Sequence, residues 1–330
     1  MHERPGTVTD EVLRPRDTDL APHRVEEPTS PWPLAVELDG RYQLGAELAR
    51  GGQSVVYVAY DSHLGREVAF KTLLPEGAGA TSTTLSTRAA RFVREARVTA
   101  QLEHPGIAPV HEVGQRRDGS FYATQKLVRG KTLEALFRAC TTPAERFRLL
   151  PAYLGLCQAV AYAHQRGVIH RDLKPGNMMV GAFGEAVVID WGLARIHGQK
   201  EAGPGAPPVE SLLEGAEQTR DGAILGTPAY MSPEQAVGAS GQVDARSDVW
   251  SLGVILYELL AGRRPFAGAT TAETLREVAT AVPAPVRQVC PEVAPELAAV
   301  AEQAMLRDTR LRYPSAAELA SEVGRWLSGD

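Results

Sequence analysis

The chain has 330 residues, 44% of them hydrophobic, and a formal net charge of −5 at pH 7. That is enough apolar material for a substantial core in two lobes, while the acidic balance and the lack of a long basic block argue against nucleic acid as a main partner. No run reaches the roughly 20 apolar residues of a membrane span, and the opening M-H-E-R-P-G-T lacks the apolar centre of a secretory signal. The cysteines, Cys140, Cys157 and Cys290, have no metal-ligand spacing and fit a reducing compartment, with at least one buried thiol. The expectation is a cytoplasmic protein without a membrane span.

Residues 1–40 mix Pro, Asp, Glu, Arg and Thr without periodicity, and a disordered tail is expected there, including Trp32 and Leu34. From Tyr42 the pattern becomes β-like. Runs at 42–48 and 55–60 flank Arg50-Gly51-Gly52, and a third run at 67–73 carries Lys71. Residues 88–102 then show an apolar stripe at helical spacing through Phe92, Ala96 and Thr99 or Ala100. A small β-rich lobe with one main helix follows from these elements, spanning about 41–125.

A second lobe, about 129–328, begins after an extended segment at 121–130. Residues 149–165 repeat apolar positions at Leu150, Leu154, Cys157 and Ala161, and Gly167 suits the C-terminal cap. Residues 197–222 are rich in Gly, Pro, Ala and Glu and read as a flexible insertion. Residues 248–260 are apolar on nearly every face, as in a buried central helix closed by Gly262. Ser315 with Glu318 reads as a capping box for a final helix reaching Trp326. The surroundings of Leu64 and Ala80 are expected to offer helical faces for a dimer.

The most informative stretch runs from His170 to Gly192. Two short apolar runs, 178–180 and 186–189, are joined by a glycine-containing turn and read as an antiparallel hairpin. Such pairing puts Asn177 and Asp190 at one end of the hairpin, with Asp172 five residues upstream and Lys174 between. A carboxylate and a carboxamide on neighbouring strand ends, with a further carboxylate and an ammonium beside them, suit a hard divalent cation that keeps phosphate oxygens as partners.

In these segments, H-R-D-L-K-P-G-N and D-W-G above all, the chain resembles the protein kinases, and most closely the bacterial serine/threonine kinases of the eukaryotic (Hanks) type. The matching segments run from about Tyr42 to Leu327. The resemblance implies an α+β, bilobal protein kinase-like fold and transfer of the γ-phosphoryl group of ATP to Ser or Thr hydroxyls of protein substrates. It implies Asp172 as catalytic base, Lys174 over the γ-phosphate, and Asn177 and Asp190 on Mg²⁺, for which Mn²⁺ could substitute. Lys71, in V-A-F-K, would touch the α- and β-phosphates and pair with Glu95, preferred over Glu103 because Glu103 stands where the helix ends. Val56, Ala69 and Met179 would enclose adenine, Leu48 would also bind ATP, Gln125 would be the gatekeeper, and Lys126 to Val128 the hinge. Gly51, Gly52 and Ser54 would form the phosphate loop.

The chain departs from the three-glycine pattern at Ala49 and Ser54, and Trp191 replaces the usual Phe. In the activation segment, 190–234, Glu234 would pair with Arg312, and Asp248 would bond the catalytic-loop backbone. Thr227 would bond Asp172 and Lys174. Gly176 stands where some arginine-directed kinases carry Glu. Arg171 would help hold a phosphorylated Thr219, with Ser211 a weaker acceptor, and a homodimer would serve trans-autophosphorylation. Two other readings share many of these residues: a nucleotide-dependent scaffold, favoured by Ala49, Ser54 and Trp191, and a small-molecule phosphotransferase, disfavoured by G-T-P-A-Y-M-S-P-E and D-V-W-S-L-G.

Overall fold

A computed structural model describes residues 24–25, 34–74, 82–192, 194–196 and 228–329. Its upper lobe is a six-stranded sheet built from β1 (Ala35–Val36), β2 (Tyr42–Arg50), β3 (Ser54–Asp61), β4 (Arg66–Leu73), β5 (Val110–Gln115) and β6 (Phe121–Lys126), in the order β1-β5-β6-β4-β3-β2. All neighbours are antiparallel except β1 and β5. Side chains alternate between the faces of a strand, and the register sorts them cleanly. Tyr42, Ala59, Val68, Phe70 and Tyr122 cluster on one face, with Phe70 and Tyr122 stacked at 5.0 Å. Val56 lies opposite Lys71, Lys71 opposite Ala123, and Ala69 opposite Gln125, so these five share the other face. Against that face packs α1 (Ser82–Ala100), through Phe92 and Ala96 on Ala123.

The lower lobe is mostly helical. It holds α2 (Leu133–Ala139), α3 (Pro143–Phe147), α4 (Leu150–Gln165), α5 (Pro233–Ala236), α6 (Ala245–Ala261), α7 (Thr271–Thr280), α8 (Val286–Val289), α9 (Pro295–Ala304) and α10 (Ala316–Ser328). Helix α6 is its axis: Asp244 caps the start, thirteen of its residues are buried, and Gly262 ends it in the left-handed region at φ 74°. A Cβ on Gly253 would come within 2.7 Å of the Ala304 Cβ, so glycine is what lets α6 and α9 approach so closely. Short strands β7 (Gly130–Thr132), β9 (Met178–Gly181) and β10 (Ala186–Val188) form one small sheet. Strands β8 (Val168–Ile169) and β11 (Arg195–Ile196) form another. The architecture is the expected bilobal α+β fold.

Three expectations change. Folded structure begins before residue 41: β1 pairs with β5, and Val25 is 4% exposed within the core of the lower lobe. Leu64 lies in the turn joining β3 to β4, on no helical face, and Ala80 falls outside the described residues. Ser315 caps α10 by accepting from the Ala317 N–H, and Glu318 bonds the Ser315 hydroxyl, so the interaction is local without the full box. The insertion at 197–222 also falls outside the described residues, as do Ser211, Thr219, Gly226 and Thr227.

Candidate active site

The cleft between the lobes gathers the predicted residues from both sides. On the upper side, Lys71 Nζ donates to Glu95 Oε1 at 2.7 Å and to Asp190 Oδ1 at 3.1 Å. Glu103, by contrast, lies in the loop after α1, where its N–H meets the Tyr162 hydroxyl. Burial opposes a charge on Lys71, yet the two carboxylates outweigh it and hold the ammonium above its usual range. Burial pushes the Glu95 carboxyl up against the pull of Lys71, whereas Lys71 draws the Asp190 carboxyl down. Asp190 carries φ 59°, an uncommon conformation for a non-glycine residue, and its side chain is 48% exposed to the cleft.

Below it, β9 and β10 form the expected hairpin, with Met178 opposite Val188 and the Ile189 N–H bonded to the Asn177 carbonyl at 2.9 Å. Asn177 and Asp190 therefore flank one end of the hairpin. Asp172 Oδ2 accepts from Lys174 Nζ at 2.8 Å and from Asn177 Nδ2 at 3.2 Å, which fixes the loop carboxylate between an ammonium and an amide. Arg171 has φ 70°, and its carbonyl accepts from Gln235 Nε2 at 2.8 Å. Fully buried Asp248 takes the N–H groups of His170 and Arg171 at 2.7 and 2.8 Å and His164 Nε2 at 2.8 Å. Burial alone would raise this carboxyl, but those partners hold it down.

Around the cleft, Ala69 is buried, Val56 and Met179 are half-buried, and Leu48 is exposed at a bulge in the pairing of β2 with β3. Gln125 sits on β6 opposite Ala69. The Lys126 N–H is committed to the Pro109 carbonyl at 3.0 Å, so any bond this hinge residue makes to a base uses its own carbonyl, and Val128 follows half-buried. In the glycine loop, Gly51 N–H bonds the Ser54 carbonyl at 2.9 Å, while the Gln53 carbonyl accepts from Leu74 N–H and from Arg88 Nη2. Gly51 is not at positive φ, and a Cβ there would find its nearest neighbour at 3.7 Å. The fold itself does not demand glycine at 51. Among the described residues no group of three or more His, Cys, Asp or Glu could cage a metal. One carboxylate plus one carboxamide fits an ion that keeps phosphate oxygens and water, as Mg²⁺ does.

Several contacts escape sequence reading. Trp191 is buried with its ring 4.6 Å from that of His170, and it lines a cavity of about 20 Å³ with Phe92, Thr99, Val110 and Gln125. Its indole N–H has no partner among the described residues. His164 and Gln235 carried no signal beyond lying near motif residues. The expected Glu234–Arg312 pair is formed, at 2.8 and 2.9 Å. All three cysteines are free, and burial pushes the Cys157 thiol up to about 12.

A β-rich lobe over a helical lobe, with a lysine–carboxylate pair facing a loop carboxylate across the cleft, is the layout of the kinase fold class. The protein kinase domain family matches residues 42–322. The chain is 37% identical over 295 residues to a probable serine/threonine-protein kinase of Streptomyces coelicolor, covering 88% of this chain and 41% of that protein. It is 34% identical over 306 residues to the serine/threonine-protein kinase PknD of Protochlamydia amoebophila, covering 87% and 30%. Over 295 residues it is 35% identical to the serine/threonine-protein kinase PknB of Mycobacterium leprae, covering 88% and 44%. The chain thus belongs to the protein kinase family, with the bacterial serine/threonine kinases of the Hanks type. It spans less than half the length of these relatives.

Proposed function

We propose that this chain transfers the γ-phosphoryl group of ATP to serine or threonine hydroxyls of protein substrates, its own activation segment among them. The observation that carries the reading is the Lys71 bridge to Glu95 and Asp190, standing over the Asp172–Lys174–Asn177 group. Lys71 would hold the α- and β-phosphates, and Gly51, Gly52 and Ser54 would cover them. Val56, Ala69, Met179 and Leu48 would enclose the adenine beside Gln125, Lys126 and Val128. Both contacts to Asp172 fall on Oδ2, which leaves Oδ1 to accept the proton of the attacking hydroxyl. That hydroxyl oxygen bonds to the γ-phosphorus as the bond to the β,γ-bridging oxygen breaks, and Lys174 neutralises charge on the moving phosphoryl group. Asn177 and Asp190 would hold Mg²⁺, which when bound neutralises the developing phosphate charge.

No helix among the described residues is long and apolar enough to cross a membrane. The reading carries with it a cytoplasmic place of action, where ATP is abundant, and a transient pairing of two copies for phosphorylation in trans. The test is autophosphorylation with labelled ATP and Mg²⁺, wild type beside Asp172→Asn. Label on the wild type, with a loss of about 10²–10⁴-fold in the variant, is the expected result. Equal labelling of both would remove Asp172 from its role. No label on either, together with stabilisation by ATP, would make the fold a nucleotide-binding scaffold.

A further inference from the structure

The backbone at 170–172 takes an unfavourable turn on its way to the loop carboxylate. Arg171 lies at φ 70°, in the left-handed region that residues other than glycine rarely adopt. Such a conformation persists only where its neighbours hold it. From α6, Asp248 takes the N–H groups of His170 and Arg171 at 2.7 and 2.8 Å. From within the loop, the Asp172 N–H meets His170 Nδ1 at 3.3 Å, and Asn177 Nδ2 meets the Asp172 carbonyl at 3.0 Å. The Arg171 carbonyl, in the peptide that leads directly into Asp172, is held from elsewhere. It accepts from Gln235 Nε2 at 2.8 Å across sixty-four residues of sequence.

Gln235 stands on α5, just beyond Glu234, and both ends of its amide are used. Oε1 accepts from the N–H and from the hydroxyl of Ser232, each at 3.1 Å, while Ser232 Oγ accepts from the Gln235 N–H at 3.4 Å, closing a full capping box. A backbone N–H only donates and a carbonyl only accepts, so no flipped amide satisfies both partners. Ionised glutamate would serve the cap and not the carbonyl. Asparagine carries the same amide on a shorter stem. The helix is itself anchored, because the adjacent Glu234 is held by Arg312 and Ser247. One side chain thus ties the seated end of the activation segment to the peptide before Asp172.

We propose that Gln235 is a positioning residue for phosphoryl transfer: its amide orients the 171–172 peptide and, through it, the carboxylate of Asp172. The proposal rests on the reading of Asp172 as the group that accepts the hydroxyl proton. Lys174 and Asn177, which bond Asp172 Oδ2, belong to the same loop and move with it. Asp248 and Gln235 hold the loop from outside, one from the core of the lower lobe and the other from α5. Displacing α5 removes the donor to Arg171, and relaxation of the strained peptide then carries Oδ1 out of line with the attacking hydroxyl. The loop carboxylate is in this way made sensitive to the seating of the activation segment.

The experiment uses the full chain and follows transfer of label from ATP with Mg²⁺ onto an excess of an affinity-tagged Asp172→Asn copy, so the acceptor is identical in every reaction. Calorimetric titration with ADP and Mg²⁺ counts the nucleotide sites in each preparation. Gln235→Glu keeps the acceptor for Ser232 and loses the donor to Arg171; Gln235→Met loses both. Ser232→Ala breaks the same cap from its other end and leaves the amide to hold Arg171. A positioning role predicts that kcat falls about ten- to a hundredfold in both Gln235 variants, the scale of a displaced reacting group. KM for ATP and the number of ADP sites should stay within about twofold of wild type, as for an interaction that counts only in the transition state. Ser232→Ala, which loses only a cap, should stay within about threefold of wild type in kcat. Gln235→Glu that turns over like wild type would overturn the proposal. So would an equal loss in Ser232→Ala, which places the effect in the cap, or a loss of kcat matched by a loss of ADP sites, which is a folding defect. Gln235→Glu retains its cap, so its result stands even if Gln235→Met fails to fold. Wild type that binds ADP but labels nothing would instead sink the reading of the chain as an active kinase.

Discussion

Two carboxylate–cation sites in this molecule look alike on paper and differ in what surrounds them. Arg312 and Glu234 are sealed, 0% and 6% exposed. All five guanidinium N–H groups are used: two on Glu234 and three on the carbonyls of Leu306, Arg246 and Arg307, with the plane over Trp250 at 5.0 Å. Ser247 adds a bond to the same carboxylate. Lys71 and Glu95 keep 16% and 18% exposure, and their third partner, Asp190, opens onto the cleft. A flexible ammonium between two carboxylates can exchange partners, whereas a guanidinium locked by five bonds cannot. The sealed site holds the activation-segment end to the base of the lower lobe. On the proposed function, the open one would give up contacts to phosphate and metal.

The largest expected effect separates the two. Arg312→Leu leaves Glu234 charged and buried without its partner, which should cost about 3–5 kcal/mol of stability. Lys71→Met should cost no more than about 1–2 kcal/mol, because Glu95, already pushed up by burial, can take a proton instead. The order reverses for phosphoryl transfer. At a temperature where both variants are folded, Lys71→Met should lose at least about 10²-fold, the scale of removing one aimed donor, and Arg312→Leu much less. Denaturant melts and initial rates on the two proteins check this. Equal stability losses would erase the distinction.

Acid should sharpen it. The Glu234 carboxyl is held below its ordinary value by Arg312 against the cost of burial. Its contribution to stability is thus present above the unfolded value of 4.5 and lost as pH falls through the folded one. His170 is depressed by burial, so stability also falls once pH drops below the unfolded value of 6.5. Glu95 is raised, so the folded state takes up its proton first and gains stability as pH falls toward 4.5, a partial offset from the open site. Thermal midpoints from pH 7 to pH 4 should decline for wild type and decline more steeply for Glu95→Gln. Below pH 4.5 the decline should be shallower for Glu234→Gln. A wild-type midpoint that is flat over this range, with Glu95→Gln equally flat, would contradict all three signs.

The same contrast explains what could be read from the sequence. Asp172, Asn177 and Asp190 sit at fixed offsets from a hairpin that short-range patterns reveal, so their convergence followed once it was recognised, whereas Lys71 joined them through the resemblance alone. Glu234 and Arg312 were paired by resemblance, since seventy-eight residues separate them and no local pattern links them. Val25 and Ala35–Val36 were missed because their docking surfaces are the cap of α4 and the edge of β5, and nothing in a Pro- and Glu-rich stretch announces either. His164 and Gln235 were missed for a related reason. A polar residue on a helix carries no mark of the loop it will brace.

The smallest predicted effect concerns Trp191, where the open site meets the core. Its buried indole N–H lacks a partner among the described residues, which on its own costs about 1–3 kcal/mol. Trp191→Phe removes that group but also removes ring area packed against His170, enlarging a cavity that now has room for about one water. At about 24 cal/mol per Å³ of new cavity, the packing loss is on the order of 1 kcal/mol. The two changes oppose each other, so Trp191→Phe should alter stability by less than about 1 kcal/mol. Trp191→Ala, with no compensating ring, should cost about 3–5 kcal/mol. Chemical denaturation of both variants decides the matter. If Phe proves as costly as Ala, the indole N–H is bonded after all, and its bond is what holds Trp191 between His170 and α1.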